Sequence, residues 1–193
     1  MGLGAATLVR IQPTLVIATP VLYLDIDGTV RHGFTELGKF VNGPDDVVIF
    51  PEALVMMRRW KAGGGRIIGV SNQGGIALGH VDATECAAAM ARTQQLAEGL
   101  FDCIQVCPHH PQAPHPEMSR CWCRKPAPGL VIEAALALRG HNGNEEFYPP
   151  YMSLMVGDRP EDEECARIAS IDFQWASEWR EQAGSYEQPA KDD

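Results

Sequence analysis

Short apolar runs alternate with amphipathic stretches along the chain. Val21–Leu24 is a run of strand formers that passes directly into a polar, glycine-containing turn, the pattern of a buried parallel strand with Asp25 at its C-terminal end. Ala53, Met56, Met57 and Trp60 recur at helical spacing, with Pro51 suited to a first turn and Gly63–Gly65 to a stop, so one amphipathic helix is predicted there. Arg66–Val70 reads as a second strand that runs into the loop Ser71–Gly75. Asp82 and Glu85 resemble a capping box opening an Ala-rich helix to about Glu98, and Phe101–Val106 is strand-like.

The stretch from Cys107 to Pro128 is irregular and rich in Cys, His and Pro, too polar to pack by itself. Beyond it, Leu130–Leu138 is predicted helical, Ser153–Val156 a strand ending in Gly157 and Asp158, and Glu161–Ile168 the helix that follows. Strands alternating with helices predict an α/β fold: a three-layer, Rossmann-like parallel sheet with helices on both faces. In such folds ligands gather at the C-terminal strand ends, where the loops starting at Asp25, Ser71 and Asp158 would meet. The expected organisation is an N-terminal extension or extra strand over 1–20, one domain over 21–181, and a polar tail over 182–193.

Composition narrows the function. The 193 residues suit one domain, and 45% apolar against 21% charged residues supports a packed core rather than disorder. A net charge of −9 gives no global pull toward nucleic acid or anionic lipid. The apolar stretch Thr14–Leu24 is broken by Pro20 and ended by Asp25, too short to span a membrane, and no cleavable leader stands out. A soluble cytoplasmic protein, without membrane contact and monomeric, is expected. In a reducing compartment, closely spaced thiols more often hold metal than form disulfides.

Asp25 and Asp27 lie two residues apart in DIDGT, on a turn following a strand, where one carboxylate can attack while the other moves protons. A carboxylate nucleophile suits phosphoryl transfer because the acyl phosphate it forms can be cleaved by water. Its approach to an anionic phosphate needs a cation and oriented donors. Asp158 in GDRPED, supported by Asp162, is the candidate for a hard divalent ion such as Mg2+. The Ser71 hydroxyl, amide groups around Asn72, and Lys125 are candidate phosphate donors.

Downstream, CxH at Cys107 and His109 is followed by CxC at Cys121 and Cys123. Two chelating pairs joined by a loop are what one tetrahedral zinc requires, with His110 as the alternative to His109. Four protein ligands leave no open position, so this zinc would be structural. Cys86, Cys103 and Cys165 read as small buried residues.

In this order, DIDGT, Ser71, Lys125 and GDRPED resemble the four motifs of the haloacid dehalogenase superfamily, matched from Val21 to about Ile168. The cluster ending in CWCRKP is similar to that of the zinc-containing phosphatases that include the heptose bisphosphate and histidinol-phosphate enzymes. The resemblance implies a phosphatase without a cap domain, its zinc loop at about 107–125. Asp25 would be nucleophile and Mg2+ ligand. Asp27 would be the acid and base, its backbone carbonyl a further Mg2+ ligand, and Asp158 would complete the metal site. Ser71, Asn72 and Lys125 would hold the phosphate, and Arg124 the substrate. An acid two residues after the nucleophile favours phosphatase over dehalogenase chemistry.

The expected substrate is a small sugar phosphate or bisphosphate such as heptose bisphosphate. Histidinol phosphate, a 3'-phosphate at a polynucleotide end, and a non-catalytic zinc-stabilised binding module are the alternatives. Ile26 stands where those enzymes often carry a basic residue, and the loop Arg31–Asp46 matches neither pattern. The loop around Arg31–Pro44 and the zinc loop are expected to roof the site.

Overall fold

The computed structural model describes residues 17–34, 41, 43–141 and 146–185. The strands are β1 (Ile17–Ala18), β2 (Val21–Leu24), β3 (Arg31–Gly33), β4 (Val47–Ile49), β5 (Arg66–Asn72), β6 (Cys103–Cys107), β7 (Glu146–Phe147), β8 (Leu154–Gly157) and β9 (Asp172–Trp175). The helices are α1 (Pro51–Ala62), α2 (Ala83–Leu96), α3 (Gly129–His141), α4 (Pro160–Ala169) and α5 (Ala176–Glu181).

Five strands form one parallel sheet in the order β6-β5-β2-β8-β9. Side chains alternate across it, as the pleat requires. Leu22, Leu24, Ile67 and Val156 pack on one face with Met56 and Met57 of α1, Met90 of α2 and Trp179 of α5. Val21, Tyr23, Ile68, Val70 and Met155 pack on the other with Leu130 and Ala134 of α3 and Cys165 of α4. This is the predicted three-layer α/β architecture. No helix among the described residues is long and apolar enough to cross a membrane.

The structure moves several predicted boundaries. Ser71 and Asn72 are not loop but the last residues of β5, because β6 continues beside them to Cys107 and supplies ladder partners. Asp82 caps α2 by accepting the Thr84 N–H at 2.7 Å. Arg31, read as the start of a roofing loop, is strand: β3 pairs antiparallel with β4. The end of that loop forms a 3-10 turn at Pro44–Asp46, while 35–40 and 42 lie outside the described residues. Pairing of β1 with β7 puts a short extra strand before β2, while 1–16 and 186–193 also lie outside. Gln182–Ser185, expected as the start of a tail, forms a 3-10 turn.

Candidate active site

The loops after β2, β5 and β8 converge at the C-terminal edge of the sheet. Asp25, Asp27, Ser71, Asn72, Lys125, Arg159, Glu161 and Asp162 line one pocket there. Asp25 directly follows β2 and is held by its N–H to Val156 O at 2.9 Å. The turn then closes through Val30 N and Arg31 N onto Ile26 O, both at 3.0 Å. Gly28 has a φ of +89°, and a Cβ on it would stand 2.2 Å from Asp158 Oδ2, so both backbone conformation and close approach require glycine. Ile26 points into the core, its δ-methyl against Gly69.

Lys125 lies nearly inaccessible between two acids. Its Nζ is 2.5 Å from Asp25 Oδ1 and 2.7 Å from Asp162 Oδ1, and donates to Val70 O at 2.9 Å. Burial pushes the Asp25 carboxyl up to about 7 against the opposing pull of Lys125, with Asp162 adding to the rise. Burial alone would lower the Lys125 ammonium, but Asp25 and Asp162 outweigh it and hold its pKa raised. Burial also raises Asp158. One carboxylate oxygen from each of Asp25, Asp158 and Asp162 lies within 4.8 Å of the others. The Arg159 guanidinium, its Nε 3.9 Å from Asp158 Oδ1, is a second cation at the site. Three carboxylates against two cations still leave an excess of negative charge, which with an all-oxygen donor set fits a hard divalent ion such as Mg2+.

Asp162 was legible in the sequence only as support for Asp158. In the structure its Oδ1 pairs with Lys125, while its Oδ2 accepts the Arg159 N–H at 3.1 Å. Gly157 leaves room for it, since a Cβ there would meet Asp162 Cβ at 2.3 Å. The N-cap of α4 is Arg159.

Asp27 is gripped from two sides. Arg31 Nε donates to Oδ1 at 2.8 Å, and Gln73 Nε2 donates to Oδ2 at 2.6 Å and to Ser71 Oγ at 2.8 Å. Arg31, 2% exposed, also donates to Ala89 O and Thr93 Oγ1 of α2. Sequence reasoning missed Arg31 and Gln73. The side chain of Asn72 is committed to Lys125: its Oδ1 accepts the Lys125 N–H and its Nδ2 donates to Lys125 O, both at 3.0 Å.

The zinc-type cluster assembles as spaced in the sequence. Cys107 Sγ lies 3.5 Å from His109 Nδ1, 3.6 Å from Cys121 Sγ and 3.2 Å from Cys123 Sγ. Tetrahedral zinc with Zn–S of about 2.3 Å has ligand–ligand edges of roughly 3.5–3.8 Å, so a small outward adjustment admits the ion. His109 faces the thiols, whereas His110 Nδ1 accepts the Gln112 N–H at 3.1 Å. Arg124 is tied to this loop, donating from Nη1 to His109 O at 3.0 Å and from its backbone N–H to Cys121 Sγ at 3.3 Å. It also packs against Gly74, outside the set that lines the pocket.

No family model matches the chain. It is 34% identical over 148 residues to a D-glycero-alpha-D-manno-heptose-1,7-bisphosphate 7-phosphatase of Mycobacterium bovis, covering 75% of this chain and 70% of the relative. It is 33% identical over 172 residues to the D-glycero-beta-D-manno-heptose-1,7-bisphosphate 7-phosphatase of Salmonella typhi, covering 80% and 78%. Among solved structures, a HAD-like phosphatase from Mesorhizobium loti aligns at TM-score 0.68 and 26% identity, covering 84% of this chain and 74% of that one. The D,D-heptose 1,7-bisphosphate phosphatase of B. bronchiseptica, complexed with magnesium and phosphate, shares the fold at TM-score 0.64 and 24% identity over 80% and 79%. With this likeness over most of both chains and the motifs gathered at one sheet edge, the chain belongs to the haloacid dehalogenase superfamily of phosphatases, among the relatives of the heptose-1,7-bisphosphate 7-phosphatases.

Proposed function

We propose that this phosphatase hydrolyses a phosphate monoester on a small bisphosphorylated sugar, heptose 1,7-bisphosphate being the first candidate, through a phosphoryl group carried on Asp25. The observation that supports it is Asp25 at the end of the central strand, with Lys125 and Asp158 brought beside it from distant loops.

An oxygen of Asp25 attacks phosphorus, the bond from phosphorus to the ester oxygen breaks, and Asp27 gives a proton to the departing oxygen. Asp27 then takes a proton from water, whose oxygen attacks phosphorus and releases inorganic phosphate with Asp25 restored. To do this Asp27 exchanges its Gln73 hydrogen bond for one to the ester oxygen, while Arg31 keeps the other carboxylate oxygen in place. Lys125 and Ser71 lie where they can share the charge of the transferring group. Asp25, Asp158 and the Asp27 carbonyl would hold Mg2+, which when bound offsets the repulsion between carboxylate and phosphate.

Cys107, His109, Cys121 and Cys123 would hold a structural Zn2+ that stiffens the loop carrying Arg124 and Lys125. Arg124 then offers a planar fork to the phosphate that is not cleaved. Reduced thiol ligands suit the cytoplasm, and a single chain contains every proposed catalytic group.

The test is phosphate release from both heptose 1,7-bisphosphate anomers, histidinol phosphate and a 3'-phosphorylated oligonucleotide, with Mg2+ or with EDTA. A kcat/KM at least tenfold higher for a heptose bisphosphate, lost in EDTA, is expected. Preference for either other substrate overturns the sugar assignment.

A further inference from the structure

Arg180 reaches from α5 to the turn that carries Asp25 and Asp27. Its Nη1 donates to Gly28 O at 2.9 Å and to Thr29 O at 2.8 Å. The guanidinium lies 4.1 Å above the Phe50 ring, which also meets the His32 ring at 4.7 Å and packs against the core. Phe50 is itself fixed to the turn, its N–H donating to Val30 O at 3.0 Å. One cationic nitrogen therefore gathers two adjacent carbonyls of a tight loop, with its own plane held against an aromatic surface.

What this clamp controls follows from the position of Gly28. The glycine is pressed against the Asp158 carboxylate so closely that no Cβ fits between them. Displacing the 28–29 peptides therefore alters the separation of the β2 loop from the β8 loop, and so the spacing of the Asp25 and Asp158 carboxylates.

We propose that Arg180 is a positioning residue of the metal-carboxylate site, clamping the Gly28 and Thr29 carbonyls so that Asp25 and Asp158 stand at the separation a single divalent ion needs. This rests on the proposed reading of Asp25 and Asp158 as magnesium carboxylates. Arg180 touches no reacting atom. Misplacement of reacting groups by about 1 Å can cost on the order of 100-fold in rate, so loosening this turn should reduce both metal affinity and turnover. Both accepted bonds come from one nitrogen, so a lysine ammonium can restore much of what a methionine removes.

The experiment compares wild type, Arg180→Met and Arg180→Lys by calorimetric Mg2+ titration, scaled to folded protein from circular dichroism, alongside kcat and thermal melting. Arg180→Met should weaken Mg2+ binding about tenfold and lower kcat about 10- to 100-fold, and Arg180→Lys should recover most of both. A merely structural arginine would lower the melting temperature and the folded fraction without moving the Mg2+ constant, and that result overturns the assignment. So does an Arg180→Lys variant as impaired as Arg180→Met. If Arg180→Met does not fold, Arg180→Gln takes its place with the same expectations. A wild type that neither binds Mg2+ nor releases phosphate overturns the underlying reading as well, whereas a competent wild type beside an indifferent Arg180→Met overturns this inference alone.

Discussion

The Lys125 ammonium meets Asp25 Oδ1 at 2.5 Å, across 100 residues of sequence and with almost no access to solvent. That ammonium is held between Asp25 and Asp162, and under the proposed function it would stand beside the phosphoryl group that Asp25 accepts.

Removing that cation should be costly. Lys125→Met leaves Asp25 and Asp162 buried without their counter-charge, and uncompensated buried partners cost about 3–5 kcal/mol. Urea unfolding in EDTA should show a loss of this size, and partial recovery when Asp162→Asn is added. A loss below about 1 kcal/mol would mean the lysine is solvated in solution.

Protons and magnesium should compete at the Asp25 carboxylate. Its folded pKa, raised to about 7, lies above the unfolded value, so the metal-free folded state holds a proton that the unfolded chain releases near pH 4. The contribution of Asp25 to stability therefore falls as pH rises from about 4 through 7. Asp25→Asn should melt about 2–4 °C higher than wild type at pH 7.5 in EDTA, about 1 kcal/mol, while abolishing turnover. In wild type, Mg2+ binding followed by calorimetry should weaken up to about tenfold per pH unit below 7. A pH-independent Mg2+ constant would contradict a shared carboxylate.

Zinc loss should reach the active site through one loop. Cys123→Ser should reduce bound zinc from one equivalent toward none by elemental analysis and lower the melting temperature. It should also raise KM, because the Arg124 side chain hangs on His109 O and its backbone on Cys121 Sγ. Unchanged kinetics in zinc-free protein would separate the cluster from catalysis.

Substrate class should be readable at Arg124. Replacing it with alanine should raise KM for a sugar bisphosphate about 10- to 100-fold, the equivalent of a charge-assisted hydrogen bond of about 1.5–3 kcal/mol. KM for a monophosphate of the same sugar should change less than about threefold. Equal effects on both would assign Arg124 to the phosphate that is cleaved.

Much of this arrangement was legible in the sequence because it rests on local pattern. The apolar runs at Val21–Leu24 and Arg66–Val70, the glycines after them, and the paired Cys and His spacing each carry their own signal. The β3–β4 hairpin did not, since Arg31, His32 and Gly33 look like exposed loop, and only a partner on Val47–Ile49 makes them strand. The same blindness hid Arg31 as the holder of Asp27: a buried arginine has no sequence signature apart from the carboxylate four residues earlier that it pairs with. Asp162 and Gln73 act through residues far away in the chain, Lys125 and Asp27, and such contacts exist only once the sheet brings the loops together. The strand β9 and helix α5 were missed for their brevity and polarity, and Arg180 with them.

The most direct test of the Asp25 phosphoryl carrier is chemical trapping. Enzyme turning over a heptose bisphosphate with Mg2+ is quenched in acid and reduced with borohydride, which converts an acyl phosphate to homoserine, and the peptide containing position 25 is sequenced by mass spectrometry. Homoserine at position 25, dependent on both substrate and Mg2+, is the predicted result. Catalytically competent enzyme that yields no homoserine there, or yields it at another aspartate, would contradict it.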